Sequence, residues 1–366
     1  MISMQETGTG WRSAGRIVAR RLLLDRQAEF WMGELDPVRS RAEIRACVVA
    51  VVEETEDTKT FVLRPNAAWQ GHRAGQYSSV EVEVDGVRVR RCYSISSAPG
   101  EALVSITVKR VPRGRVSTWL LEHTRSGDIL RLATAAGDFV LPAATPTKLL
   151  LLSGGSGITP LMSLLRDLAA RDAIHDVVFV HQARSRADVI FGEELSELAV
   201  RHAGLRLVLC LDDDPSAPRG FEEARFANLD PDYAKRSTFL CGPGPFMDRA
   251  QKLWECVGSS ELIDRESFAP TTAPTPMVSA VRAAQVRLVR SDRAVTAKGQ
   301  GTLLEQLERA GERPVHGCRI GICHSCKCRK QTGTVQNLLT GEVSSEPDQE
   351  IQLCISVPRS DLRLDL

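Results

Sequence analysis

Four of the ten cysteines in this 366-residue chain lie within eleven residues, in the stretch HGCRIGICHSCKC from His316 to Cys328. Cys318, Cys323 and Cys326 have the spacing C-x4-C-x2-C, and Cys354 follows 28 positions later. This is the plant-type spacing for a [2Fe–2S] cluster, with three thiolates from one loop and a fourth from a distant strand. Four cysteines can also hold zinc, although zinc ribbons usually pair two short C-x2-C hooks. The loop is therefore predicted to hold a metal centre, and an iron–sulfur cluster is favoured over zinc.

Cys328 lies outside this spacing, two residues beyond Cys326. We predict that it sits on an outgoing strand, where its side chain packs or faces solvent, and that it is not a ligand. Gly317 and Gly321 allow the loop to fold round a cluster with its N–H groups aimed at the sulfurs.

Basic residues surround the same loop, at Arg319, Lys327, Arg329 and Lys330. They form either a solvated face or a docking patch for an acidic partner surface, and both interpretations stay open at this point. A docking patch would raise the rate of association more than the affinity.

A second candidate site is the stretch RCYSISS, which begins at Arg91 and closes a predicted strand. Strand alternation sends Arg91 and Tyr93 to the same side. Arg91 can pair bidentately with a phosphate, Tyr93 can lie against a flavin ring, and Ser94 can offer its hydroxyl or amide to the ring. The pattern suits a flavin nucleotide, although this motif by itself would also fit an ordinary surface strand.

A helix start in KRVPRGRVSTWLLEH strengthens the flavin interpretation. Gly114 and Ser117 come just before the apolar part of this segment. Backbone N–H groups at a helix start, together with the Ser117 hydroxyl, can meet a pyrophosphate.

A third candidate site is the glycine-rich turn in LLLLSGGSGITPLMSLL. Gly154, Gly155 and Gly157 let the backbone approach a pyrophosphate, and the start of the following helix supplies positive potential. Thr159 is predicted to cap that helix, with Pro160 at its first position. The turn differs from the G-x-G-x-x-G fingerprint of the dehydrogenases.

The segment HQARSRADVIF after the next strand bears on the choice of nicotinamide nucleotide. An acidic residue at the strand end would favour a free ribose hydroxyl, whereas Ser185 and Arg186 can hold a 2′-phosphate. The sequence therefore favours NADPH and leaves NADH open.

Three compact units must position these sites. Short β-branched runs separated by turns predict a small antiparallel barrel or sandwich. Alternating strands and helices then predict a parallel sheet covered by helices. A proline-containing linker precedes a strand, a helix and the cysteine loop. The predicted division is an N-terminal extension at 1–40, a flavin domain at 41–143, a nucleotide domain at 144–268, a linker at 269–282 and an iron–sulfur domain at 283–366.

Composition narrows the function classes. The formal net charge of +1 argues against a chain built mainly to coat nucleic acid. No apolar run reaches the roughly 18 residues that span a bilayer, and the arginines within GRIVARRLLLDRQAEFW argue against a signal peptide. An amphipathic helix over Arg16–Trp31 is predicted to dock on the body of the protein, on a partner or on a membrane surface. We predict a cytoplasmic protein, in which clustered cysteines favour metal or redox chemistry over disulfides.

These motifs together resemble the ferredoxin–NADP reductase superfamily. The resemblance is carried by AGQY, by R-x-Y-S at Arg91–Ser94, by G-x-x-S at Gly114–Ser117, and by the GGSGITP turn at Gly154–Pro160. Residues from about 283 to 366 resemble a plant-type ferredoxin, which implies an α+β β-grasp fold. The resemblance covers about residues 45–366.

The resemblance implies cofactors and roles for individual residues. It implies FAD rather than FMN as the flavin, a [2Fe–2S] cluster and a nicotinamide nucleotide. In FLCGPGPFM, Cys241 is expected near the nicotinamide, and Gly242 and the following proline are expected to shape its pocket. In ESF, Glu266 and Phe268 are expected beside the flavin. The cluster ligands implied are Cys318, Cys323, Cys326 and Cys354.

The order of the domains resembles that of reductase components of multicomponent oxygenases and desaturases. Hydride would pass from the nicotinamide to the flavin beside Ser94 and Cys241, and single electrons would then reach the cluster and a partner protein. The lead-in FWMGELDPVRSRAEIRACVVAVVEETEDTKTFVLRP resembles reductases of membrane fatty-acid (stearoyl-CoA) desaturases, which would hold a monomeric reductase peripherally at the membrane. Two other functions stay open: a stand-alone reductase of ferric chelates or quinones, and a zinc-stabilised interaction module.

Overall fold

A computed structural model describes residues 43–84, 86–214, 230–268, 283–298, 301–317 and 326–366, with the single residues 38, 40, 226, 228, 319 and 321. The predicted helix at Arg16–Trp31 and the predicted linker at 269–282 lie outside the described residues. The predicted domain boundaries stay predictions. No helix among the described residues is long and apolar enough to cross a membrane.

The first unit is an antiparallel sheet of six strands around a buried apolar core. Its strands are β1 (Ile44–Thr55), β2 (Thr58–Pro65), β3 (Tyr77–Val84), β4 (Val87–Ser94), β5 (Val104–Lys109) and β6 (Ile129–Leu132), and helix α1 (Arg115–His123) follows β5. The spatial order is β4-β3-β6-β1-β2-β5. A bridge between Ile95 and Ile106 brings the chain after β4 against β5, so the two outer strands of that order meet. The predicted antiparallel barrel is confirmed.

The second unit is a five-stranded parallel sheet covered by helices. Its elements are β7 (Leu149–Gly154), α2 (Ile158–Ala170), β8 (Val177–Ala183), α3 (Gly192–Arg201), β9 (Leu205–Leu211), β10 (Ser237–Cys241), α4 (Gly244–Cys256) and β11 (Ile263–Glu266). The order is β11-β10-β7-β8-β9, and every pair is parallel. In a parallel sheet the carboxyl ends of the strands share one edge, where ligands bind. The predicted nucleotide fold is confirmed.

The described residues of the third unit form two sheets and a short helix. Its elements are β12 (Ala284–Leu288), β13 (Arg293–Ala297), α5 (Leu303–Arg309), β14 (Lys327–Thr332), β15 (Val335–Asn337), β16 (Val343–Ser344), β17 (Gln349–Gln352), β18 (Ser356–Pro358) and β19 (Leu362–Leu364). One sheet has the order β13-β12-β19-β14-β17, and a smaller one has β16-β15-β18. Thr302 and Glu305 form a capping box at the start of α5. The predicted α+β architecture of this unit is confirmed.

Candidate functional site

The barrel and the parallel sheet meet at two strand ends that carry predicted site residues. Ser94 ends β4, and its hydroxyl donates a hydrogen bond of 3.4 Å to Oε2 of Glu266, which ends β11. Both residues are buried. Cys241 ends β10 and is in register with Glu266 on one side and Ser153 on the other. The structure therefore brings together Ser94 and Cys241, the two residues predicted to lie beside the redox chemistry.

Burial sets the protonation of this site. Desolvation raises the pKa of Glu266 to about 8, and the hydrogen bond from Ser94 only partly opposes that rise. Desolvation, followed by the charge of Glu266, raises the pKa of Cys241 well above its ordinary value. Cys241 is therefore a neutral thiol at pH 7 and not a thiolate nucleophile. Near neutral pH Glu266 mostly keeps its proton.

The residues of the predicted flavin strand lie at the same edge of the barrel. Tyr93 packs against the barrel core, and desolvation raises the pKa of its hydroxyl, so the ring stays neutral. Arg91 is half-buried, and its Nη1 donates to the carbonyl of Arg90 at 2.7 Å and to that of Gly317 at 3.2 Å. An arginine has five N–H donors, so the rest of the guanidinium can still pair with a phosphate.

The start of α1 fits a pyrophosphate. Gly114 is the residue before the helix and offers no side-chain cap to the first-turn N–H groups, which can therefore serve an anion. A Cβ at Gly114 would lie 2.6 Å from the Ser117 hydroxyl, so only glycine fits there. Ser117 lies within the first turn and not before it. Its hydroxyl accepts from the N–H of Val111 at 3.2 Å and so shapes the loop.

The glycine-rich turn after β7 fits a nucleotide for two reasons. A Cβ at Gly157 would lie 2.2 Å from the carbonyl oxygen of Cys241, so the turn packs directly on the end of β10. Gly155 has φ 52° and open space where a side chain would stand. Gly242 is also crowded, because a Cβ there would meet the ring of Phe246 at 2.7 Å. The turn therefore packs tightly against the end of β10 at Gly157 and is open at Gly155, the side that a ligand would approach.

The predicted cap at Thr159 is wrong. Gly155–Gly157 form a 3-10 turn that runs straight into α2, which begins at Ile158 with Gly157 already in helical geometry. Thr159 is the second residue of the helix, and its hydroxyl donates back to the carbonyl of Ser156 at 3.1 Å. Because the glycine turn is itself helical, the helix starts before the threonine.

A cavity of about 400 Å³ lies beside this turn. Its charged lining consists of the basic residues Lys109, Arg184 and Arg249 and the acidic residue Asp212. The apolar part includes Pro243 and Phe246, after the second turn.

Neither of the two residues predicted to select NADPH is among those that line this cavity. The Ser185 hydroxyl donates to Asp188 at 2.7 Å, and Arg186 lines a separate cavity of about 750 Å³ against α3. Arg184, which pairs with Asp188, lines the cavity beside the glycine turn. A 3-10 turn at Arg186–Asp188 separates Arg186 from this cavity, and its role toward a 2′-phosphate stays a prediction. The sequence signal for Arg184 and Arg249 was only their charge.

The described part of the cysteine loop fits a metal cluster. Sγ of Cys326 lies 3.1 Å from Sγ of Cys354, both residues are buried, and the distance exceeds that of a disulfide, about 2.05 Å. The N–H of Gly321 donates to Sγ of Cys354 at 3.3 Å, the kind of contact that supports a thiolate ligand. Gly321 has φ 83°, and a Cβ there would lie 2.9 Å from Ile355. Cys318 and Cys323 lie outside the described residues.

Cys328 is a core residue. It lies on β14, is 5% exposed and belongs to the apolar core of the third unit. Burial raises the pKa of its thiol to about 11. Of the two environments predicted for its side chain, packing is the one observed.

The predicted basic patch is largely neutralised. Lys330 is fully buried, and its ammonium donates to the carbonyls of Gly333 and Glu346, so its place in a surface patch was wrong. Strand alternation along β14 turns Lys330 inward. The other three residues each form an ion pair: Arg319 with Glu308, Lys327 with Glu350, and Arg329 with Asp348.

Phe268, which was predicted to lie beside the flavin, follows β11 and is 43% exposed.

Models of three protein families match the chain in the order of its three units. The oxidoreductase FAD-binding domain matches residues 45–141, and the oxidoreductase NAD-binding domain matches 151–252. The 2Fe-2S iron-sulfur cluster binding domain matches 286–359, a range that contains the four predicted ligands. This match favours the iron–sulfur interpretation over zinc.

Several known proteins are similar along most of the chain. A protein named NADPH oxidoreductase from Mycobacterium tuberculosis is 36% identical over 98% of this chain and 93% of its own length. The glycine betaine monooxygenase reductase subunit of Pseudomonas aeruginosa is 33% identical over 87% of this chain and 93% of its own. The solved structure of phthalate dioxygenase reductase has a TM-score of 0.58 at 24% identity and covers 88% of this chain and 98% of that one, which shows the shared fold.

Proposed function

Because the chain belongs to the family of ferredoxin–NADP reductase-like oxidoreductases that join an FAD-binding, an NAD-binding and a 2Fe-2S domain, we propose that it carries electrons from NAD(P)H to a partner oxygenase. A similar protein is named as the reductase subunit of a monooxygenase. The observation that carries the proposal is the buried hydrogen bond from Ser94 to Glu266, which joins the flavin strand of the barrel to the ligand-binding edge of the nucleotide sheet.

The protein's part in this function is to bind, orient and protect. When bound, a flavin converts a hydride into single electrons and a [2Fe–2S] cluster carries them one at a time. Gly155, Gly157 and the start of α2 hold the nucleotide phosphates, while Arg91 and the start of α1 hold those of FAD. Cys241 and neutral Glu266 exclude water where the two ligands meet. The low dielectric of that place keeps the proton on the Glu266 carboxyl.

At the other end of the path, Cys318, Cys323, Cys326 and Cys354 bind the cluster, supported by the N–H of Gly321. Arg91 links the two ends, since it donates to the carbonyl of Gly317, the residue before the first ligand. The bond holds the residue before the first predicted ligand beside the flavin strand.

For the nicotinamide nucleotide we propose NADPH. Three basic residues and one acidic residue line the cavity beside the glycine turn, which suits a ligand with an added phosphate. The similarity to a protein named NADPH oxidoreductase agrees with this choice. Steady-state kinetics with both nucleotides test it: we expect a higher kcat/KM for NADPH, and a higher value for NADH would refute it.

For the partner we propose a membrane fatty-acid desaturase, on the resemblance of the segment that leads into β1. The reductase then acts as a cytoplasmic monomer that meets the membrane through this partner. The test is reconstitution with candidate terminal enzymes. We expect NADPH-driven product formation only when both proteins are present. Turnover of ferric chelates or quinones without support of any terminal enzyme would replace the proposal by a stand-alone reductase.

A further inference from the structure

Helix α2 connects the nucleotide turn to the flavin strand. Its first residue, Ile158, directly follows the glycine turn, and Arg166 lies two turns further along the same helix. The chain that leaves β4 after Ser94 runs through Ser96 and Ser97, which are 0% and 3% exposed. A side chain that joins α2 to this segment would fix the nucleotide turn relative to the residue that faces the flavin.

Arg166 makes that connection with its whole guanidinium. Its Nη1 donates to the carbonyl of Ser96 at 2.6 Å, across the boundary between the barrel and the sheet. Its Nε and Nη2 donate to the two carboxylate oxygens of Glu194 on α3, at 2.8 and 2.5 Å. The two bonds to Glu194 fix the plane of the guanidinium, so the Nη1 donor that meets Ser96 is held in one direction. Ser163, one turn earlier on α2, adds a bond of 2.7 Å to the carbonyl of Ser97.

Phe191 completes the arrangement. It has φ 59°, a left-handed conformation that a bulky residue adopts only where its surroundings hold it. The guanidinium of Arg166 lies over the Phe191 ring, 4.8 Å from its centroid. The main-chain N–H of Phe191 donates to Oε2 of Glu54 on β1 at 3.2 Å. Thr60 on β2 donates to the other oxygen of Glu54 at 2.6 Å. Glu54 of the barrel therefore holds the loop before α3, and Glu194 of α3 holds Arg166.

We propose that Arg166 is a positioning residue that registers the nucleotide unit on the flavin strand and so sets how the nicotinamide meets the flavin. The inference rests on the proposed function. Arg166 does not line the nucleotide cavity, so its effect passes through Ser96 and not through contact with the ligand. Replacing Arg166 should therefore change the rate of the hydride step itself and leave the FAD content unchanged.

The test compares R166M and R166K with R171M in the full-length, FAD-loaded protein. Arg171 is the matched control, because it lies at the end of the same helix, pairs with Asp167 on the surface and is exposed. Stopped-flow absorbance measures flavin reduction by NADPH and by NADPH deuterated at C4. In the same FAD-loaded protein without NADPH, hydrogen–deuterium exchange measures the protection of residues 94–98.

We expect R166M to reduce its flavin about ten- to hundredfold more slowly, with a changed isotope effect, since small misplacements of reacting groups cost this much. Exchange in residues 94–98 should rise about tenfold, from the loss of one charge-assisted bond. R166K has one ammonium in place of a fork and should fall between R166M and the wild type, while R171M should match the wild type.

Three results would separate the possible failures. Equal reduction rates and equal exchange in R166M and the wild type would overturn the role of Arg166. If R166M does not fold, R166K decides, and wild-type values in R166K would overturn the inference. A wild-type flavin that neither NADPH nor NADH reduces would instead overturn the proposed function.

Discussion

Replacing Glu266 by glutamine should remove a pH dependence from the stability of the protein. Glu266 is 8% exposed, and burial raises its pKa from 4.5 to about 8. In the unfolded chain the same carboxyl titrates near its ordinary value. Between these two values the folded state holds a proton that the unfolded state has released, so stability falls as the pH rises. The contribution of the neutral acid is complete below pH 4.5 and is lost as the pH passes about 8.

The size of the effect follows from the difference between the two pKa values. A shift of about 3.5 units corresponds to about 5 kcal/mol over the full range, or about 1.4 kcal/mol per pH unit inside it. Glutamine keeps the shape and an acceptor for the Ser94 hydroxyl but carries no titrating proton. Urea unfolding at several pH values between 5 and 8, followed by a probe in the nucleotide unit, measures the difference between E266Q and the wild type.

The difference in stability should move in favour of E266Q steadily across this range. E261Q is the control, since Glu261 is exposed on the 3-10 turn before the same strand, and its pH profile should follow the wild type. A constant difference between E266Q and the wild type from pH 5 to 8 would refute the reasoning, because it would mean that Glu266 is already ionised in the folded protein.

Three further predictions concern the cluster, the nucleotide turn and the core of the third unit. C354S should lose iron and the visible absorption of the cluster while C328S retains both, as measured by iron analysis and absorbance; loss in both variants would refute the assignment of Cys328 to the core. G157A should weaken NADPH binding at least tenfold in calorimetric titration, because the added methyl would meet a main-chain carbonyl at 2.2 Å. K330M should lower the free energy of unfolding by about 2–3 kcal/mol by removing the charge-assisted hydrogen bonds of the buried Lys330 ammonium to two main-chain carbonyls, whereas K327M, at an exposed ion pair, should change it by less than about 1 kcal/mol; equal losses would contradict this.

The fold was predictable because hydrophobic periodicity changes along the chain. Short β-branched runs such as VSITVK in β5 are typical of a barrel, whereas LLLLSG in β7 is an unbroken apolar run that leads directly into a glycine turn and a long helix. That contrast separates an antiparallel barrel from a parallel sheet. The spacing of Cys318, Cys323, Cys326 and Cys354 predicted the kind of metal centre, because ligand spacing records how a loop folds round a cluster.

Positions that depend on the exact path of a turn were not predictable. Strand alternation buries Lys330, although it reads as an exposed cation in the sequence, and Arg184 rather than Arg186 lines the cavity beside the glycine turn. Glu266 is buried and accepts a hydrogen bond from Ser94, a residue 172 positions earlier in the chain. The contacts of Arg166 likewise cross from one unit to another, and local patterns carry no information about them.

The most direct test of the proposed electron path is anaerobic mixing of NADPH with the full-length protein loaded with FAD and iron–sulfur, in the absence of any partner. Absorbance follows the flavin, and electron paramagnetic resonance of rapidly frozen samples follows the cluster. We predict that the flavin is reduced first and that the signal of the reduced cluster then rises in the same molecules. A reduced flavin beside a cluster that stays oxidised would contradict the path from NADPH to the cluster.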